Sequence, residues 1–139
     1  MKGTFHIALA TNDLEAARKF YGGLLGCETG REAMTWVDYD FFGHQLTIQK
    51  VVVDTRKEEY ITHPRTGMPL NHWGVILSNV DWLQMIDRLK EAEVKFTSEP
   101  HLFLEGEIGE QRVAMIKDPD GNVIEFKTFT NAGDVFRSE

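Results

Sequence analysis

An internal repeat constrains this chain more than any other feature. Residues 4–10 (TFHIALA) form a short alternating run closed by Thr11-Asn12-Asp13, which reads as a strand leading into a helix cap. Leu14, Ala17, Tyr21 and Leu24 then recur at helical spacing until Gly26, a C-terminal stop. Three strand-like runs follow at 29–35, 36–42 and 44–52, with Gly43 at a tight turn between the last two. The second half returns to the same order. Residues 71–78 (NHWGVILS) read as a strand and Asn79-Val80-Asp81 as a cap. Trp82, Leu83, Ile86 and Leu89 mark a helix ending near Ala92, and strands are expected over 94–104, 111–117 and 122–128. Asp118-Pro119-Asp120-Gly121 is a strong turn signal. Each half therefore reads β-α-β-β-β, with His72 following His6 by 66 residues. A repeat of this period means two copies of one supersecondary unit. The expected organisation is one structural domain of the α+β class: a first βαβββ module over 1–57, a polar connector over 58–69, a second module over 70–128 and a solvated tail over 129–139.

Composition narrows the function classes. The 22 acidic residues outnumber 15 Lys and Arg, a net charge of −7, which leaves no electrostatic footprint for nucleic acid or an anionic membrane surface. No apolar run approaches the roughly 20 residues of a membrane span. The first residues lack the apolar stretch of a signal peptide, and the single Cys27 cannot form an internal disulfide, so a cytoplasmic location is expected. Zinc-finger architectures lack their thiolates here, which leaves five histidines and the carboxylates as candidate ligands.

Strand parity sorts these candidates. In the first strand Phe5, Ile7 and Leu9 share the face expected to pack on the helix, and His6, Ala8 and Ala10 share the other. In the fifth, Trp73, Val75 and Leu77 face the helix while His72, Gly74 and Ile76 point away. Each histidine is followed two residues later by a small residue, which leaves room beside the imidazole. In the last strand Ile124 and Phe126 belong to the core, with Val123, Glu125 and Lys127 opposite. The matching first-half strand puts Leu46 and Ile48 in the core, with Gln45, Thr47 and Gln49 opposite. One strand histidine is more often a structural group than a ligand. Two repeat-related imidazoles and a carboxylate of common parity suit a divalent metal with open positions.

The segments DLEAARKFYGGLLG (13–26) and DPDGNVIEF (118–126), with His6 and His72 on their strands, resemble the vicinal oxygen chelate superfamily of glyoxalases, bleomycin-resistance proteins and extradiol dioxygenases. The resemblance covers residues 4 to 128. It implies two βαβββ modules whose mixed sheets curl around a metal, with ligands from the first and last strands of each module. Carried over by position, the metal ligands are His6, His72 and Glu125, with a fourth on the strand after Gly43. Gln49 is the choice for that slot, although parity does not separate it from Thr47 or Gln45. An amide cannot take a proton, whereas a carboxylate there could act as base in a glyoxalase-like isomerase. Two His and one carboxylate leave faces open for a bidentate substrate and dioxygen on Fe(II). The resemblance thus implies a small ring-cleaving dioxygenase acting on a small molecule with vicinal oxygens. Fe2+ is favoured over Zn2+, Ni2+, Co2+ or Mn2+, and a homodimer is expected. The alternatives are a glyoxalase- or epimerase-like lyase or isomerase, and then a metal-free drug-binding resistance protein whose acidic surface suits a cationic ligand.

Among other residues, His101 is a candidate proton donor or acceptor at the cavity mouth, catalytic beside Glu125. His44 at a turn and His63 in the connector read as structural or solvated. Trp36, Tyr39, Phe41 and Phe42 suit core or dimer packing better than an aryl pocket. Cys27 lacks an adjacent basic partner and reads as a small buried residue. No Gly-rich phosphate loop or nucleophile elbow is present.

Overall fold

The computed structural model describes all 139 residues, which divide into two compact units. The first comprises Met1–Glu58 with Asp118–Gly121, the second Glu59–Lys117 with Asn122–Glu139. The repeat is present in both.

In the first unit β1 (His6–Thr11) leads into α1 (Leu14–Arg18), then β2 (Glu28–Ala33), β3 (Trp36–Phe41) and β4 (His44–Lys50). The sheet order is β1-β4-β3-β2, with β1 parallel to β4 and the other pairs antiparallel. The Asp13 carboxylate caps α1 by accepting from the Ala16 N–H at 3.0 Å. The helix does not continue in α form to Gly26. Residues Lys19–Leu24 widen into a π turn, and the Leu25 N–H reaches back to the Phe20 carbonyl at 2.9 Å. Two poor helix formers, Gly22 and Gly23, sit in that turn. The extra residue shifts the apolar phase by one, so Leu25 is buried where the spacing placed Leu24, which is half-buried. Phe5 likewise departs from its expected core position: it precedes β1, is 60% exposed and lies edge-on to His44. The core is Leu14, Ala17, Phe20, Tyr21 and Leu25 with Val37, Tyr39, Phe41, Leu46 and Ile48 from the sheet. Each such large side chain contributes roughly 1.5–3 kcal/mol on burial. Between β3 and β4, Phe42 (φ 52°) and Gly43 (φ 85°) make a two-residue hairpin turn that pairs Phe41 with His44.

In the second unit β5 (His72–Ile76) leads into α2 (Asn79–Glu91), then β6 (Ser98–Phe103), β7 (Gln111–Lys117) and β8 (Val123–Phe129), in the sheet order β5-β8-β7-β6. Again only the outermost pair, β5 with β8, is parallel. The cap of α2 is Ser78, one residue before the expected trio. Its hydroxyl oxygen accepts from the Asp81 N–H at 3.1 Å and donates to the Asp81 carboxylate at 2.8 Å. Trp82, Met85, Ile86 and Leu89 pack toward Ala114, Ile116, Ile124 and Phe126, and the Trp82 indole N–H donates to the Phe126 carbonyl at 2.9 Å. No helix is long and apolar enough to cross a membrane.

The connector and the tail are more structured than their composition implies. The Tyr60 ring lies 4.2 Å under the Lys117 ammonium, and the Ser98 hydroxyl donates to the Met68 sulfur at 3.5 Å. Both contacts fall on the sheet face opposite α2, where Val113 and Met115 are buried. The tail is mostly exposed and carries a short 3-10 helix, Ala132–Phe136, where the Gly109 N–H donates to the Asp134 carboxylate at 3.2 Å. The turn at Asp118–Gly121, between two strands of the second sheet, clusters with the first unit. There Asp120 accepts from the Lys57 N–H at 2.9 Å and from the Thr55 hydroxyl.

Candidate metal site

The second unit assembles two of the four expected ligands. Register pairs Gly74 of β5 with Glu125 of β8, so His72 and Glu125 lie on one sheet face, two residues apart along adjacent strands. Gly74 is required for this approach, since a Cβ there would stand 1.8 Å from the Glu125 carbonyl oxygen. The small residue therefore admits a backbone as well as leaving room for the imidazole. His72 Nδ1 lies 2.7 Å from the Pro69 carbonyl oxygen, which can only accept, so Nδ1 carries the hydrogen. Nε2 is thereby turned toward Glu125 and stands 3.8 Å from its Oε2. The Glu125 side chain is only 7% exposed, and its Oε1 is held by the Lys127 ammonium at 2.8 Å. An open cleft of about 210 Å³ runs over these groups, lined also by Trp73, Val75 and Ile76.

The first unit carries the other two expected ligands, and the same register reasoning applies. His6 pairs with Gln45, Ala8 with Thr47 and Ala10 with Gln49. Laid on the second half, where Gly74 pairs with Glu125 and Ile76 with Lys127, Thr47 occupies the place of Glu125 and Gln49 that of Lys127. Gln49 is exposed, and its amide nitrogen donates to the carbonyls of Thr35 at 3.1 Å and Lys50 at 2.9 Å. The Thr47 hydroxyl donates to Asp38 at 2.6 Å, and the Gln45 amide reaches the same carboxylate at 3.3 Å. Asp38 is buried and faces Arg31 at 3.6 Å. Sequence reasoning passed over Asp38 in favour of its aromatic neighbours. The signal was available: the two-residue turn at Phe42-Gly43 fixes the hairpin so that Asp38 falls opposite Thr47, with parity away from the core. A larger open cleft of about 360 Å³ lies beside it, lined by Thr4, Gly30, Arg31, Asp40 and His44 among others.

The remaining histidines are occupied locally. His101 is exposed on β6, two strands from Glu125, with Nδ1 2.7 Å from the Glu99 carbonyl. His44 Nδ1 accepts from the Phe5 N–H, and His63 Nδ1 accepts from the N–H groups of Arg65 and Thr66 within its turn. No group of three or more His, Cys, Asp or Glu side chains converges in the chain. The two donors brought together, His72 and Glu125, are of the kinds a divalent ion takes. His72 has its hydrogen fixed on the far nitrogen, as metal-binding imidazoles characteristically do, and Glu125 presents a buried oxygen at a span one ion could bridge.

No curated protein matches the chain. Among solved structures, a glyoxalase/bleomycin resistance protein/dioxygenase from Alicyclobacillus acidocaldarius is 27% identical, with 96% of each chain covered and a TM-score of 0.80. The fosfomycin resistance protein FosX of Listeria monocytogenes shares the fold at 17% identity, covering 97% of this chain and 99% of its own, with a TM-score of 0.71. Lactoylglutathione lyase from Agrobacterium tumefaciens does so at 18% identity, covering 99% and 98%, with a TM-score of 0.66. The family model for the glyoxalase/bleomycin resistance protein/dioxygenase superfamily matches residues 3–126, and with its two βαβββ units the chain belongs to that superfamily.

Proposed function

We propose that the protein is a divalent-metal-dependent enzyme acting, as a homodimer, on a small molecule with vicinal oxygens, with His6, His72 and Glu125 as ligands. The observation that carries this reading is the orientation of His72: Pro69 takes its Nδ1 hydrogen and so aims Nε2 at the buried Glu125 carboxylate. His6, His72 and Glu125 would hold the ion, which would supply Lewis-acid chemistry for a substrate with adjacent oxygens and, as Fe2+, oxygen chemistry as well. The chain's own part is to orient two ligands rigidly and to keep Glu125 out of water. Ring cleavage is favoured over isomerisation by the first half. There the position equivalent to Glu125 is Thr47, which is no base, and the carboxylate beside it, Asp38, is engaged by the Thr47 hydroxyl at 2.6 Å and by Arg31 at 3.6 Å. His101, on the same sheet face two strands away, is the candidate proton carrier at the rim.

Protein purified without oxygen should hold about one iron per chain and consume oxygen with catechols, and His72→Ala should lose both properties. Stoichiometric zinc or nickel with no iron-dependent oxygen uptake would instead establish the lyase or isomerase reading. One observation favours a metal-free binding protein: Lys127 already neutralises Glu125 at 2.8 Å. In that case His72→Ala would leave ligand affinity intact.

A further inference from the structure

The cleft over Glu125 contains a cation that the metal reading does not use. Lys127 points onto the same face as His72 and Glu125, its side chain is 29% exposed, and its ammonium binds Glu125 Oε1 at 2.8 Å. An ammonium has three N–H donors. One is spent on Glu125, and two remain for whatever enters the cleft. The rest of the lining is Trp73, Gly74, Val75 and Ile76 beside His72, so Lys127 is its only permanently charged donor. The first half has no counterpart: the register-equivalent residue is Gln49, whose amide is turned onto backbone carbonyls.

Charge balance gives this asymmetry a consequence. Glu125 and Lys127 cancel, so the cleft is formally neutral by itself, and a divalent ion would leave it with an excess of two positive charges. In a site where the carboxylate is almost wholly removed from water, an uncompensated charge of that size is costly. The ion pair also occupies one oxygen of Glu125, so that Oε2 alone faces His72 Nε2.

We propose that Lys127 is a specificity-determining residue that receives an oxyanion head group of the substrate beside Glu125, so that the protein selects small molecules carrying a carboxylate or phosphonate over neutral analogues. This deepens the metal-site reading and rests on it for the excess charge. The cleft, about 210 Å³ in volume, admits a head group and a few further atoms, with Ile76 left to touch an apolar remainder.

The test uses methylphosphonate as probe, followed by 31P NMR titration, with its uncharged dimethyl ester as control. Co2+ uptake is followed separately by visible absorption. In Co2+-loaded protein, Lys127→Met should weaken methylphosphonate binding about tenfold or more, the value of one charge-assisted hydrogen bond. It should bind Co2+ at least as tightly as the wild type, because a neighbouring positive charge has been removed. Lys127→Arg, which keeps the charge, should retain most of the phosphonate affinity, and the ester should bind all three proteins alike. Undiminished phosphonate binding by a folded Lys127→Met protein would overturn the proposal, as would loss of Co2+ along with the probe. If the wild type takes up no Co2+, the metal reading alone fails. The same comparison in metal-free protein then decides for Lys127 by the same loss, or against it by equal affinities.

Discussion

Two segments by which the family is legible in the sequence are joined by a buried hydrogen bond. Tyr21, from the first, is fully buried and donates its hydroxyl to Asp118 of the second at 2.6 Å, and Asp118 in turn accepts from the Asp120 N–H at 3.0 Å. These residues hold the turn before β8, the strand that carries Glu125, and their role is structural rather than chemical. Burial first, and then the Asp118 carboxylate beside it, push the Tyr21 hydroxyl well above the ordinary phenol range. A phenol whose pKa is raised on folding contributes stability that is complete below its unfolded value, near pH 10, and is lost as pH rises through the folded value. Tyr21→Phe should therefore cost about 1–3 kcal/mol in urea unfolding at pH 7, since a buried acceptor loses its donor. Above pH 10 the wild type should lose stability more steeply than the variant, closing the gap between them. Equal stabilities at pH 7 would show that the bond is replaced by water at no cost.

At the scale of elements, strands and their faces were legible because period-two alternation survives in β1, β4 and β5, whose side chains alternate in exposure. What could not be read was register. Parity offered Gln45, Thr47 and Gln49 as equals, and only the observed pairing of Ala8 with Thr47, matched to Gly74 with Glu125, separates them. Helix phase failed for a related reason: the π turn at Lys19–Leu24 inserts a residue that a 3.6 period does not anticipate, so Leu25 replaces Leu24 in the core. The Ser78 cap was missed because Ser78 also extends the alternation of β5. The same pairing makes a sharp comparison between the two halves. Gly74 and Ala8 occupy equivalent places, yet only at Gly74 would a Cβ meet backbone, at 1.8 Å. Gly74→Ala must part β5 from β8 at Glu125, and an expected loss of about 3 kcal/mol or more places it among the severe core substitutions. Ala8→Gly should cost only about 0.5–1 kcal/mol through chain entropy. Thermal unfolding of the two variants side by side measures this, and similar losses would mean that β5 adjusts freely.

For the whole molecule, the proposed ligand set draws on both halves of the chain. His72 and Glu125 lie in the second unit and His6 in the first. The proposed homodimer unites them if His6 of one copy completes the pair of the other, which makes the ligand set a property of the assembly. The consequence can be measured with two defective proteins. His6→Ala retains His72 and Glu125, and His72→Ala retains His6, so neither homodimer has a complete set. When the two are unfolded together and refolded as a mixture, a mixed dimer regains one intact set, formed by His6 of one copy with His72 and Glu125 of the other. Random pairing puts half of the dimers in that form, so the mixture should recover about a quarter of the wild-type metal content, whereas each variant refolded alone should recover none. If all three ligands came from a single chain, each mixed dimer would still hold two incomplete sets and the mixture would stay empty. Metal content after refolding, read beside the sedimentation equilibrium of the wild type, thus decides between a shared site and a private one.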